Sequence, residues 1–425
     1  MPDRRTFLGT ATMSLFPTVI SAAGTAAEPR PKRLKLAIVT TEWRERSHVW
    51  HMGERFIHGY PIRGKWHHPA VDVVSAYVDQ FPANDLSRAR AKEFGFTIYP
   101  TIAEALRCGG SKLAVDAVLI IGEHGDYPLN AIGQKMYPRY EFFKQVVEVM
   151  TKDGRIVPLF NDKHLSWKWE WAKEMVETAE RLNIPFIAGS SLPHTWRMPS
   201  VEMPLGAEIE ELLGIGFSKV DHYDFHALEM MQCLAERRRG GETGVQAIQA
   251  IRGEAVWKAL SAGSWQAGGW DPQLFQACLC RSQSLAQPET FSHRYPTIEQ
   301  MKAMVKEPIG YRIEYKDGLR ATMLLLSGLV NDFTVAARLK NQAEPFSTLF
   351  YLPPNPNVVY SAALMAQAEK TFLTGKPAHP LRRTLLTSGL VAAGMQSLAA
   401  DGRRLPTPHL AVSYQPPRES TFLRE

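Results

Sequence analysis

The chain has 425 residues, a net charge of +6 and 45% hydrophobic residues. That is enough apolar material for more than one core, and a charged fraction of 22% excludes a chain that is disordered overall. The positive excess is mild and spread out. Its tight clusters, Lys32-Arg33 and Arg237-Arg238-Arg239, read as solvated surface, so no nucleic-acid partner is expected.

Arg4-Arg5-Thr6-Phe7-Leu8 is a twin-arginine signature. A modest apolar run from Leu8 to Ile20 follows, then small residues at Ala22, Ala23, Ala26 and Ala27. This order of basic, apolar and small segments predicts an export signal over 1–27, cleaved after Ala27, and a periplasmic or extracellular protein. The run is too short and too rich in Ser and Thr to span a bilayer, and no later stretch is long and apolar enough, so no stable membrane span is expected. The four cysteines, Cys108, Cys233, Cys278 and Cys280, include no Cys-x-x-Cys pair and read as reduced and structural.

Pro29 to Arg33 reads as a linker. Leu34 to Val39 is a short apolar run suited to a buried parallel strand. Val71 to Val78 is a second strand candidate, closing on Asp79. Ser87 to Phe94 looks helical, and Thr101 is a candidate N-cap for a helix through Leu106. Ala117 to Ile121 is a strand, Tyr140 to Met150 a helix, Arg155 to Leu159 a strand, Trp167 to Leu182 an amphipathic helix and Ile184 to Ala188 a strand. The alternation implies βαβ units and a doubly wound parallel sheet, a Rossmann-like α/β domain over 28–195.

Beyond Thr195 the texture changes. Glu208 to Leu213 and Phe225 to Arg238 look helical. Tyr311 to Tyr315 and Leu319 to Ser327 flank Lys316-Asp317-Gly318, a hairpin signal. Asn331 to Leu339 reads as one more strand, and helical patterns return at Tyr360 to Leu373 and Leu385 to Ala400. These elements predict an α+β domain with a mainly antiparallel sheet over 196–425.

The order and spacing of these pieces resemble the glucose–fructose oxidoreductase / inositol dehydrogenase / MocA family. Four stretches carry the likeness. Val71 to Asp79 with the helices after it is similar to that family's second strand and the lead into its fourth. Val115-Asp116-Ala117-Val118-Leu119-Ile120 looks like its usual VDAVxI strand. Lys163 sits where the family has the lysine of its Glu-Lys-Pro motif, followed by Ala172 to Val176 and Ile184 to Gly189. Phe372 to Pro377 and Ala400 to Arg403 look like its closing helices. The resemblance implies NAD or NADP as cofactor, a carbohydrate-like small molecule as substrate, and a homo-oligomer formed through the open face of the antiparallel sheet.

The first loop departs from the family. A Rossmann site uses glycines after the first strand to bring backbone amides to the pyrophosphate. Here the strand runs into Thr40-Thr41-Glu42-Trp43-Arg44-Glu45-Arg46-Ser47-His48, with no glycine until Gly53. Glu42 and Trp43 are expected to repel or crowd a diphosphate. Thr40, Thr41, Arg44 and Ser47 offer substitute donors, or the loop closes the pocket. Asp79 falls where a ribose-binding carboxylate belongs, a surface acid being the plainer reading. Glu123 and His124, in Gly122-Glu123-His124-Gly125-Asp126-Tyr127-Pro128, follow the fourth strand, where doubly wound folds place ligands.

For chemistry, the resemblance implies a lysine and a histidine beside the nicotinamide, here Lys163 and His226. His222 stands where the family has an aspartate, with Asp221 beside it and Asp224 between, so the acid–base set reads as rewired: Lys163, His226, His222 and Asp224. If 219–225 is extended, His222, Asp224 and His226 share a face and could also take a divalent metal. The plain alternative for His226 is a hydrogen-bonded core histidine. Three functions follow: an NAD(P)-linked sugar or cyclitol oxidoreductase, a non-redox lyase or hydrolase on an oxidised sugar, and a binding protein that kept the fold.

Overall fold

The computed structural model describes residues 33–288, 294–353 and 360–424. The export signal expected over 1–27, and all of the expected linker but Arg33, lie outside the described residues.

The strands in chain order are β1 (Leu34–Thr40), β2 (Tyr60–Ile62), β3 (Lys65–His67), β4 (Val71–Val78), β5 (Thr97–Tyr99), β6 (Ala117–Ile121), β7 (Leu159–Asp162) and β8 (Phe186–Gly189). β2 and β3 form a small ribbon, and the others make a parallel six-stranded sheet in the order β5-β4-β1-β6-β7-β8. Every residue of β6 is buried, as a sheet covered on both faces requires. Alternate residues feed opposite layers. Ala37, Val39, Val118 and Ile120 pack with Phe143, Val146 and Met175 from helices Arg139–Asp153 and Trp169–Arg181. Leu36, Ile38, Leu119 and Ile121 pack with Val49, Met52 and Phe56 on the other side. Leu364, Met365, Ala368 and Phe372 of the late helix Tyr360–Thr374 join that second layer. The chain therefore returns to the first sheet long after residue 195.

The second sheet contains β9 (Trp196–Met198), β10 (Ile209–Gly216), β11 (Val245–Arg252), β12 (Ile309–Tyr315), β13 (Arg320–Leu325), β14 (Phe333–Leu339), β15 (Phe346–Tyr351) and β16 (Leu405–Pro406). Its order is β16-β11-β12-β13-β10-β14-β15-β9, with β10–β13 parallel and the remaining pairs antiparallel. Helices Tyr223–Ala235 and Leu381–Ala399 cover one face through Phe225, Leu228, Met231 and Leu390. Helices Glu254–Ala262 and Pro272–Arg281 cover the other, where Trp257, Leu274 and Phe275 meet Leu213, Ile215 and Leu324. These helices thus cover the β10, β13 and β14 part of the face expected to pair with a second copy, while Gln249, Arg312, Glu314 and Arg320 on the same face stay partly exposed.

Ile209–Gly216 is a strand, not the helix expected over Glu208 to Leu213. Pairing on both edges and a lining of Leu212 on one face and Leu213 on the other outweigh the local helical spacing. Gly214 lies under helix Tyr223–Ala235, where an added Cβ would meet Met231 at 2.6 Å. Strand β7 starts at Leu159, the last residue of the expected strand over Arg155 to Leu159. All four cysteines are free. No helix among the described residues is long and apolar enough to cross a membrane.

Candidate functional site

In the first sheet the strand order reverses between β1 and β6, and ligands of doubly wound folds sit beyond the carboxyl ends of the strands at such a point. A cavity of about 280 Å³ opens there, near the lower end of small-molecule sites. Glu123 and His124 reach it from the end of β6, Lys163 from β7, and Ser190 from β8. His48 and His51 come from the short helix after β1, and His222, Tyr223 and His226 from the start of helix Tyr223–Ala235. Arg46, His124 and Lys163 have φ of 63°, 72° and 64°, a left-handed backbone that is uncommon outside glycine and clusters at functional sites.

Glu123 organises one wall. Its carboxylate pairs with the buried guanidinium of Arg139, faces Lys163 Nζ at 3.7 Å and meets His222 Nδ1 at 3.3 Å. Burial pushes its pKa up, but Lys163, the His222 hydrogen bond and Arg139 together outweigh that and hold it well below the usual carboxylate range. Lys163 Nζ also lies 3.5 Å from the His222 carbonyl and 5.8 Å from the centre of the Tyr223 ring. His226 Nδ1 is 2.6 Å from Ser190 Oγ, which also accepts the Leu192 N–H at 3.1 Å. Burial, then the charge of Lys163, lower the His226 pKa, so its ring is neutral at pH 7.

The opposite wall is a group of imidazoles. His48 Nδ1 is 2.6 Å from Asp162 Oδ2, and the His48 ring centre lies 5.1 Å from those of both His51 and His124. His51 Nδ1 is 3.4 Å from the Tyr360 hydroxyl. Burial, then His48, lower the pKa of His51 well below its ordinary value and that of His124 to about 3. Sequence reasoning missed His48, His51, Ser190 and Tyr360. Glu123 and His124 had a signal, their place after the strand that borders the switch point.

The cavity gathers Lys163, His222, His226, Glu123 and His124 from the sequence-expected set, and leaves out the rest. Asp224 turns away. It is fully buried and accepts the Tyr311 hydroxyl at 3.0 Å and the Phe225 N–H, in the first turn of its helix, at 2.9 Å. The helix begins at Tyr223, so the extended His222-Asp224-His226 row does not form, and no cluster able to hold a metal occurs among the described residues. Thr40 and Thr41 donate their hydroxyls to the Ile121 carbonyl at 3.0 Å and the Glu123 carbonyl at 2.7 Å, so they tie β1 to β6 and do not line the cavity. Arg44 is paired with Glu42 at 2.5 Å and stands 3.5 Å from His124 Nδ1. Asp79 lies outside the cavity, exposed beyond β4, where it accepts the hydroxyls of Tyr77 at 2.7 Å and Tyr127 at 2.5 Å.

Two expected obstacles face elsewhere. Trp43 is fully buried, stacked on Phe96 at 5.6 Å and donating to Glu54 at 2.9 Å, and the Glu42 carboxylate is matched by Arg44. Neither lines the cavity. Asp79 keeps lone pairs free for ribose hydroxyls, and the exposed Arg46 guanidinium at the cavity edge can meet phosphate charge. Toward a dinucleotide the chain thus offers these two side chains, while Thr40, Thr41, Arg44 and Ser47 of the first loop are engaged within the fold.

Several solved structures of similar fold are named as dehydrogenases. GenD2 from gentamicin A biosynthesis, determined in complex with NAD, superposes with a TM-score of 0.54 at 13% identity, over 88% of this chain and 96% of that one. The myo-inositol 2-dehydrogenase of Lactobacillus plantarum gives 0.52 at 12% identity, over 88% and 99%. The scyllo-inositol dehydrogenase of Lactobacillus casei, with bound NAD(H) and scyllo-inositol, gives 0.52 at 10%, over 88% and 99%. The chain therefore has the fold of the inositol dehydrogenase group, a Rossmann-like domain followed by a mainly antiparallel sheet domain. No protein-family model and no curated protein sequence matches it.

Proposed function

We propose that the chain is an oxidoreductase acting on a sugar or cyclitol with NAD or NADP. The observation that carries this reading is the convergence of Lys163 and His226, in the places the family resemblance implies, on one sugar-sized cavity at the switch point of a dehydrogenase fold. Bound nicotinamide would accept hydride. Asp79 would hold the ribose, and Arg46 the diphosphate. Lys163, fixed by Glu123, and His226, fixed by Ser190, bind and polarise the substrate hydroxyl. The imidazoles of His51, His124 and His226, with pKa values lowered by burial, offer single donors and acceptors that suit hydroxyl groups.

A second reading has its own observation. The loop after β1 has no glycine, and the Thr40 and Thr41 hydroxyls are committed to β6 carbonyls. The same acid–base groups without a nucleotide would suit a lyase or hydrolase acting on an oxidised sugar. Mass analysis of nucleotide released from natively purified protein separates the two. Stoichiometric nicotinamide nucleotide, or calorimetric binding of added NAD or NADP, is the expected result. Empty protein that binds neither overturns the redox reading.

A further inference from the structure

The segment that replaces the glycine loop does more than close the cavity. Ser47, fully buried and bonded to both backbone groups of Arg44, ends that segment and starts the short helix that carries His48. His48 lines the cavity, while its Nδ1 turns back to Asp162 Oδ2 at 2.6 Å. Asp162 is the last residue of β7 and is 1% exposed. A carboxylate accepts only, so the imidazole must donate from Nδ1, and neutral His48 then carries a lone pair on Nε2. A buried carboxylate on the far nitrogen also stabilises the imidazolium that forms when Nε2 takes a proton.

The neighbouring groups are arranged for other tasks. Lys163 Nζ is directed to Glu123 and the His222 carbonyl. The Arg44 guanidinium at 3.5 Å from His124 Nδ1 can only donate, which leaves His124 with its proton on Nε2, a buried atom without a partner. His48 and His124 thus stand side by side, their ring centres 5.1 Å apart, and of the two it is His48, when neutral, that carries a lone pair on Nε2.

We propose that His48 is the proton acceptor of this cavity and Asp162 its positioning residue. The assignment rests on the oxidoreductase reading only for what leaves with the proton: the substrate hydroxyl would give its proton to His48 Nε2, and a bound nicotinamide would supply the hydride acceptor for the carbon that bears it. A lyase would use the same nitrogen on a proton beside a carbonyl.

The test combines tautomer, reactivity and turnover. In protein labelled with 15N-histidine, the resonance pair lost in His48→Gln should show Nδ1 protonated and Nε2 bare, and Asp162→Asn should abolish that bias. Diethyl pyrocarbonate should modify His48 ahead of His51 and His124, and more slowly in Asp162→Asn. On any sugar or cyclitol that is turned over, His48→Gln should lower kcat roughly 100-fold or more with KM little changed, the size expected of a general base. Imidazole should restore part of the rate to His48→Ala, and the control His58→Gln, outside the cavity, should match the parent. Wild-type kcat in His48→Gln, an Nε2-protonated tautomer or an unreactive His48 would each overturn the assignment. The first two measurements need no turnover. Protein that binds no nucleotide but has an oriented, reactive His48 sinks the redox reading and leaves the base.

Discussion

Arg139, on the helix that follows β6, is 0% exposed, and its guanidinium joins the Glu123 carboxylate to the imidazole of His164. Everything that faces Lys163 depends on this pair, because Glu123 is the acceptor that holds the ammonium. Arg139→Met removes one partner of a buried ion pair and strands the other, a change that costs about 3–5 kcal/mol. The Glu123 pKa is depressed in the folded chain. Its contribution is therefore complete above the ordinary carboxylate range and lost as the pH falls through the folded value. Denaturant melts should show the loss at neutral pH, and the acid-unfolding midpoint of the variant should move upward. Unchanged melts would show that the pair carries no stability.

Glu229 carries the opposite sign. It lies one helical turn beyond His226, accepts Thr387 Oγ1 at 2.6 Å and comes so close to Gly189 that an added Cβ there would sit 2.8 Å from its Oε2. Burial raises its pKa to about 7, against the partial opposition of Arg383. An acid with a raised pKa binds its proton more tightly when folded, so stability falls as pH rises from about 4.5 to about 7. The full span corresponds to roughly 3 kcal/mol. Glu229→Gln cannot titrate. Its stability should vary less than the parent's across this window, and parallel curves for the two proteins would refute the assignment.

Asp224 is a structural carboxyl. Burial raises its pKa, and its oxygens are engaged by Tyr311 and the Phe225 amide. Asp224→Asn keeps an oxygen for the Phe225 amide and turns an N–H toward the Tyr311 hydroxyl oxygen, which can accept it, so kcat should stay within about threefold of the parent. Asp224→Ala leaves buried donors unmet, at about 1–3 kcal/mol each. Lys163→Met and His226→Asn, by contrast, should fold normally and lose roughly 100-fold or more in kcat/KM. Equal losses in Asp224→Asn and His226→Asn would return Asp224 to the catalytic set.

How much of this could be read from the sequence depends on range. β6 and helix Ser87–Phe94 have the bounds their local patterns predict, and Thr101 does cap its helix, accepting the Glu104 N–H at 3.1 Å, because each signal is complete within a few residues. Ile209–Gly216 misleads because Glu208-Ile209-Glu210-Glu211-Leu212-Leu213 has helical spacing, while the strand is imposed by neighbours more than a hundred residues away. The site divides likewise. Glu123 follows from its position after a strand, and Lys163 from the resemblance to the family's lysine. The His48–Asp162 contact joins residues 114 apart, and nothing in the spacing of either segment reports it. Asp224 was grouped with the histidines on an extended backbone, and the helix start at Tyr223 turns it to the opposite side.

The covered second sheet bears on self-association. Trp257, Leu274 and Phe275 are buried against Leu213, Ile215 and Leu324, so this part of the face is core within one chain, and a homo-oligomer is expected to form without it. Leu274→Ala should cost about 2–5 kcal/mol, and Phe275→Ala about 3–5 kcal/mol, as cavities in a packed core do. The loss should not depend on protein concentration, and light scattering should give the same mass for parent and variants while they remain folded. If the helices instead formed a subunit contact, the variants would dissociate, and their stability would rise with concentration by mass action. A mass that falls on Phe275→Ala while the fold persists would place the interface on this face after all.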